Sequence, residues 1–288
     1  MNRKQLSAYG LKYNPFLPDV PVEALLSTRK VESFCWRVEN AHVREGGFAL
    51  ITGEPGTGKS AVLRILAERL GKVPDVRVVG LEHPQSGVAD FYREMGDAFE
   101  VSLRPHNRWC SFKSLRERYE AHIDSTLARP TLLIDEAQEM HPSVLSELRI
   151  LSSTRFDSRL ILTVVLAGDG RLVDKLRREE LVPLGSRMRT RLTMEPASRQ
   201  ELLGCLEHLL RAAGNPKLMT RALMETVADH AMGNYRVMCN MAADLLAAGM
   251  ERELDKLDEK LFLELFDPSA AEPVERPKRT GRRQARAR

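Results

Sequence analysis

The stretch Gly53-Glu54-Pro55-Gly56-Thr57-Gly58-Lys59-Ser60 follows a short apolar run, Phe48 to Thr52, and precedes a helical pattern that starts at Ala61. The spacing G-x-x-x-x-G-K-S has a mechanical reason. Glycines at 53, 56 and 58 carry no Cβ, so backbone N–H groups of the turn can close around phosphate oxygens. Lys59 then reaches the β- and γ-phosphates, and the Ser60 hydroxyl holds Mg²⁺. Val62, Leu63, Leu66 and Leu70 share one face of the following helix, Gly71 reads as its stop signal, and its N-terminus points at the anion. The expected nucleotide-binding set is therefore Gly53, Glu54, Pro55, Gly56, Thr57, Gly58, Lys59, Ser60 and Ala61.

With 288 residues the chain suits one large domain or two modest ones. No stretch approaches the roughly 20 apolar residues of a membrane span, and no apolar leader follows Met1, so the expectation is a soluble, cytoplasmic protein without a membrane partner. Cys35, Cys110, Cys205 and Cys239 form no C-x-x-C pair and read as small core residues rather than zinc ligands or disulfides. Net charge is +4, and residues 267–288, with seven Arg/Lys against three acidic residues, account for all of it. Such a basic tail is expected to be disordered, either touching a polyanion such as nucleic acid or merely solubilising the chain.

Upstream of the loop, residues 1–26 are turn-rich with scattered aromatics and are expected to pack on the body; Thr28 to Val43 reads as a helix that Glu45-Gly46-Gly47 ends. Downstream, Asp75 to Leu81 reads as a strand and Gly87 to Phe99 as a helix. The stretch Ser102 to Ala128 interleaves Arg104, Arg108, Lys113 and Arg116 with Trp109. It is either a phosphate-backbone contact or a solvated helix face whose start Trp109 and Phe112 anchor.

Pro130 to Ile134 runs directly into Asp135-Glu136. A continuously apolar strand ending in two carboxylates suits a site at the C-terminal edge of a parallel sheet. Asp135 is expected to hold Mg²⁺ with Ser60, and Glu136 to activate the attacking water as general base. Pro142 opens a helix to about Ser152, and Leu160 to Ala167 reads as a further buried strand. Asp169, just beyond it, either senses the γ-phosphate or caps the next helix. Met188 to Met194 alternates as a last strand, with Arg187 immediately before it. Beyond Pro196 only helices are expected: one opened by the capping box Ser198 to Glu201 and running through Ala213, then Thr220 to Met232, Tyr235 to Met250 and Leu254 to Phe266. The expected division is an N-terminal segment and helix packed on the core (1–45), an α/β nucleotide-binding domain (46–195), a helical lid (196–266) and a basic tail (267–288).

This order of elements resembles the AAA+ ATPases. More narrowly it is similar to the ExeA-like group, which includes the TnsC, TniB and MuB type ATPases of bacterial transposons. The resemblance is carried by YGLKYNPF (9–16), GGFALITGEPGTGKS (46–60), LLIDEAQ with LSELRILSS (132–138 and 145–153), and LAGDGRL, SRMRTRLTMEPASRQE, RAAGN and GNYR between 166 and 236. It implies a P-loop α/β fold with a five-stranded parallel sheet and a helical lid, ATP bound between protomers, and a ring or helical homo-oligomer. It also implies Arg187 as the finger reaching a neighbour's γ-phosphate, with Arg189 and Arg191 as rivals, and Arg236 as the lid arginine. Asp169-Gly170 departs from the glutamine and acidic residue the group tends to have there. No room is left for the peptidoglycan-binding domain of secretion-type relatives, which points to the transposition branch. Expected partners there are duplex DNA, tracked by Arg104, Arg108, Lys113 and Arg116, a transposase and a target-selection protein, on the nucleoid. The alternative is a nucleotide-gated secretion-type scaffold indifferent to DNA.

Overall fold

A computed structural model of the chain describes residues 3–81, 83–103 and 107–266. Arg104 and the basic tail 267–288 lie outside the described residues. The strands are β1 (Gly47–Gly53), β2 (Val78–Leu81), β3 (Thr131–Ile134), β4 (Ser153–Thr154), β5 (Arg159–Leu160), β6 (Thr163–Gly168) and β7 (Met188–Met194). The helices through the first part are α1 (Arg3–Ala8), α2 (Arg29–Arg37), α3 (Val43–Glu45), α4 (Lys59–Gly71), α5 (Val88–Phe99) and α6 (Arg108–Thr126). They continue as α7 (Pro142–Leu151), α8 (Gly170–Leu176), α9 (Val182–Gly185), α10 (Arg199–Ala213), α11 (Arg221–His230), α12 (Tyr235–Glu251) and α13 (Glu259–Phe266).

Five strands form one parallel sheet in the order β2-β3-β6-β1-β7. Their period-2 geometry assigns alternate residues to opposite faces, and both faces are covered, which is why the central strands read as unbroken apolar runs. Phe48, Leu50, Leu132, Ile134, Val164 and Leu166 face the layer built by α5 to α9. Ala49, Ile51, Leu133, Val165 and Ala167 face α2 and α4. A third apolar cluster joins α10 to α13.

Several expectations need correction. The apolar run Leu160 to Ala167 is divided: Arg159–Leu160 pairs antiparallel with Ser153–Thr154, and the sheet strand starts only at Thr163. The helix after the glycine loop begins at Lys59, and Gly71 lies inside it, because Lys72 still has right-handed helical torsions. The helix expected from Leu254 starts at Glu259. The N-terminal segment splits, with Leu6, Leu11 and Phe16 joining the α10–α13 cluster while α2 lies on the sheet. Trp109 does not anchor the start of α6; it is 72% exposed. Among the cysteines, Cys35 and Cys205 are buried, but Cys110 is exposed. Among the described residues, no helix is long and apolar enough to cross a membrane.

His42 lies fully buried in the π turn between α2 and α3, with Nε2 2.8 Å from the Thr190 hydroxyl of β7. Burial, and then the nearby Arg189 guanidinium, push its pKa below the ordinary imidazole value. A folded-state value below the unfolded one means that neutral His42 supports the fold at and above neutral pH, and that this support is lost as pH falls below about 6.5. The urea midpoint is therefore expected to drop between about pH 7 and pH 5, and His42→Gln to flatten that slope. His122, whose pKa burial also lowers, supplies a remainder. An unchanged slope in the variant would contradict the assignment.

Candidate functional site

The parallel sheet brings three strand ends to one edge. Thr52 pairs with Gly168, and Ile134 with Leu166, so Gly53, Asp135 and Asp169 all leave the sheet side by side. This is the edge at which ligands bind in open α/β sheets. The loop 53–58 turns there, with Gly56 at φ +84° and Gly58 at φ +99°, torsions that side-chain-bearing residues rarely adopt. Lys59, only 6% exposed, donates from Nζ to the carbonyls of Gly53 (2.9 Å) and Glu54 (3.2 Å). Thr57 Oγ1 donates to the Glu54 carbonyl at 2.8 Å, which fixes the loop's curl. Ser60, on the first turn of α4, is exposed.

The turn before α12 closes onto this loop. The Asn234 side chain donates from Nδ2 to the Pro55 carbonyl at 3.0 Å, and Tyr235 N–H donates to the Gly56 carbonyl at 3.0 Å. Asn234 Oδ1 in turn accepts from the backbone N–H groups of Arg236 and Val237, capping α12. Arg236 is thereby held at the helix start beside the phosphate loop. It lines, with Thr57, Ser60 and Ala61, a cavity of about 350 Å³. The far wall is largely apolar: Phe16, Val20, Ile65, Leu209 and Tyr235. A largely apolar cleft with a few polar groups at one end is the usual form of a small-molecule site, and its polar end lies at the loop residues Thr57 and Ser60.

At the end of β3, Asp135 Oδ1 accepts from the N–H of Glu136 at 2.9 Å. Glu136 is exposed and its backbone is left-handed at φ +49°, a strained conformation of the type that clusters at functional sites. Its carboxylate accepts from Gln138 Nε2, and Gln138 Oε1 accepts from the Asp169 N–H at 3.3 Å. A buried amide thus ties the two carboxylate-bearing loops together. Asp169 itself caps α8, accepting from Arg171 N–H at 2.9 Å, and pairs with the Arg171 guanidinium at 2.8 Å. Of its two expected uses, the structure places it in the capping one.

The residues expected to hold Mg²⁺ suit that ion in kind. A single carboxylate and one hydroxyl beside a phosphate cradle match its habit of taking few protein ligands along with substrate oxygens. The cradle is open only to glycine: a Cβ at residue 53 would stand 2.5 Å from the Met194 carbonyl and one at residue 56 would stand 2.0 Å from Asn234 Oδ1.

The arginines expected near a neighbour's phosphate each have an intramolecular partner. Arg187 is paired with Asp157 at 2.6 Å and also donates to the Pro183 carbonyl. Arg189 pairs with Glu45, and Arg191 donates to the Gly185 carbonyl at 3.1 Å. Of the basic residues of α6, Arg108 is held by buried Glu147, Lys113 lies 3.7 Å from Glu117, and Arg116 sits over the Phe112 ring at 5.0 Å.

Sequence reasoning missed three contributors. The segment YNPF is expected only to pack on the body, yet Pro15 and Phe16 wall the cavity, and Arg64 of α4 holds the loop there by donating to the Pro18 carbonyl at 2.6 Å. A cluster of aromatic and proline residues too apolar for a free tail was the available signal. Gln138 and Asn234 stood in the quoted motifs but carried no role.

Comparison with known proteins agrees with this geometry. Residues 42–176 match the AAA domain family. A relative, General secretion pathway protein A of Aeromonas hydrophila, is 33% identical over 172 residues, which is 59% of this chain and 30% of that protein, so the chain spans under a third of its length. Cdc6p from Pyrobaculum aerophilum superposes with a TM-score of 0.70 at 18% identity, covering 84% of this chain and 67% of its own. The Aeropyrum pernix ORC1 protein, solved in complex with DNA, gives 0.64 at 18%, covering 86% and 67%.

Gly56→Ala is expected to drive the 233–236 turn off the loop, at a cost of about 2 kcal/mol measured by urea unfolding. Asn234→Ala, which loses the bond without the collision, should cost less than Gly56→Ala; the reverse order would contradict the contact. The chain thus has an AAA+ type P-loop fold, a five-stranded parallel sheet flanked by helices and followed by C-terminal helices, with residues 42–176 matching the AAA domain family and similarity in sequence to General secretion pathway protein A.

Proposed function

We propose that the chain binds and hydrolyses ATP in a pocket that a second copy completes, so that nucleotide state switches an assembly. The observation that supports this reading is the junction of the phosphate loop with the 234–236 turn, where Thr57, Gly58, Ser60 and Arg236 line the same 350 Å³ cavity. In this reading the loop amides and Lys59 hold the phosphates, and the cavity takes the base. Ser60 and Asp135 hold Mg²⁺, which when bound neutralises charge on the phosphate oxygens. Glu136 orients and deprotonates the attacking water, with Gln138 fixing its carboxylate. Arg187 from the neighbouring copy stabilises the transferring phosphoryl group. The domain limits 46–195 and 196–266 follow the same reading, as base and lid of the site.

Glu136→Gln should keep nucleotide affinity while slowing hydrolysis by roughly a hundredfold or more, and Lys59→Ala should lose triphosphate binding. Both are read by nucleotide titration and phosphate release. Rapid hydrolysis by the Gln variant would remove Glu136 as base.

Similarity to General secretion pathway protein A supports a partner that is another protein, with the assembly acting as a nucleotide-gated scaffold. The second reading, a nucleoid-associated regulator that marks duplex DNA and recruits a transposase, with or without a target-selection protein, is favoured by one surface. Exposed Trp109 stacks on Phe112 at 5.9 Å, with Arg116 over the same ring and Lys113 on the same helix. The engagement of Arg108 by Glu147 counts against it. The ATP-loaded Glu136→Gln chain, titrated with duplex DNA, decides between them. Affinity that falls at least tenfold between about 50 and 200 mM salt supports DNA; absence of DNA binding by an assembled oligomer supports the scaffold.

A further inference from the structure

The β4–β5 hairpin has no role in the site as described, yet its turn is unusual. Arg155, Phe156 and Asp157 are three consecutive residues with positive φ, at +50°, +57° and +65°. None is glycine, and a run of left-handed residues is disfavoured at every step. The turn is held by its third residue. Asp157 accepts from the Ser153 hydroxyl, pairs with Arg187 at 2.6 Å and has Arg149 at 4.0 Å. The Ser153 hydroxyl first, and then Arg187 and Arg149, keep the Asp157 carboxyl below the usual carboxylate range, so it is charged at neutral pH. The product of this strain is a fully exposed phenylalanine, Phe156, next in the chain to the Asp157 that holds Arg187.

A second exposed apolar residue stands at the opposite functional edge. Met232 also has positive φ (+48°), is 87% exposed, and lies two residues before Asn234, which bonds the phosphate loop. The two edges also differ in charge once nucleotide is bound. Arg149, Arg155 and Arg187 outnumber Asp157 at the hairpin turn, whereas Glu54, Asp135 and Glu136 share the nucleotide edge with Lys59 and Arg236, and bound phosphates would make that edge negative. Faces that differ in this way are suited to head-to-tail contact between copies rather than a two-fold contact.

We propose that the turn 155–157 is the tip by which one copy of this chain docks on the nucleotide edge of the next, Phe156 packing on the next copy's Met232 while Asp157 hands Arg187 over. The inference rests on Arg187 acting on a neighbour's phosphate. A methionine thioether against an aromatic ring is a favourable contact between deformable partners. The handover is easy because the Arg187–Asp157 pair is partly solvated and therefore weak, and because Arg149 remains beside Asp157 when Arg187 leaves. In the single copy, Asp157 keeps the guanidinium neutralised; in the assembly the triphosphate, with more charge, outcompetes it. Asp157 is thus a positioning residue acting through Arg187.

The test is ATP-driven assembly of the full chain followed by light scattering, with Glu136→Gln throughout to hold the nucleotide. Phe156→Ala should raise the concentration for half-assembly about tenfold with no change in nucleotide affinity or melting temperature. Asp157→Asn should lower that concentration about threefold and do nothing in an Arg187→Ala background. A chain with Phe156→Cys and Met232→Cys in a Cys110→Ser background should give an ATP-dependent ladder with a short bismaleimide, while Cys110→Ser alone gives none. Assembly of Phe156→Ala at the unaltered concentration, or absence of the ladder from assembled protein, would overturn the docking. An equal effect of Asp157→Asn with and without Arg187 would overturn the handover. If Arg187→Ala leaves both hydrolysis and assembly unchanged, it is the underlying role of Arg187 that fails.

Discussion

Two hydrogen bonds, from Asn234 Nδ2 to the Pro55 carbonyl and from Tyr235 N–H to the Gly56 carbonyl, join the helical cluster to the phosphate loop, and the candidate site depends on them. The sheet alone would present a glycine turn and two carboxylates at an open edge. The helices alone would present an apolar cluster with an arginine at one helix start. Held at Gly56, the two make a walled cavity with Thr57, Ser60 and Arg236 at one end and Phe16 on its side. The contact tolerates no side chain at Gly56, since a Cβ there would overlap the Asn234 amide. A glycine that the phosphate-loop spacing calls for is therefore required a second time by the 233–236 turn.

Around that junction, the charged groups with proposed roles are held by partners that a ligand or neighbour can displace. Lys59 donates to two loop carbonyls, Glu136 accepts from Gln138, and Arg187 pairs with Asp157. Each is a satisfied arrangement of the single chain, and each uses a group with a better partner in a triphosphate, a water or a second copy. Charge-assisted bonds to phosphate are stronger than bonds to neutral carbonyls, so nucleotide arrival should reorganise the site without unfolding any element. The strain at Glu136 and along 155–157 sits at the two ends of this proposed exchange, on the carboxylate edge and on the arginine edge.

Much of this was legible in the chain itself. The buried strands could be read because parallel strands covered on both faces must be apolar throughout, and the loop 53–60 because few spacings leave backbone amides free to hold an anion. Met188 to Met194 showed its alternation because only alternate residues are buried. The unread parts have a common cause. Ile161 and Leu162 are buried without belonging to a strand, so hydrophobicity begins before the start of β6. The role of Phe16 depends on where α10 and α12 return, more than 180 residues later, and a local pattern holds no such information. Asp157 looked like an ordinary loop residue because its partner Arg187 is 30 positions away. Arg108 looked available for phosphate because Glu147 is 39 positions away.

The central claim, that one copy's phosphate loop works with another copy's arginine, is tested most directly by mixing two inactive chains. Lys59→Ala should bind no triphosphate but keep its arginine, and Arg187→Ala should keep its pocket but lack the arginine. Steady-state phosphate release from the equimolar mixture should rise well above that of either variant alone, because some interfaces then pair an intact loop with an intact Arg187. A mixture no more active than its two components, in solutions where both chains co-assemble, would contradict the account.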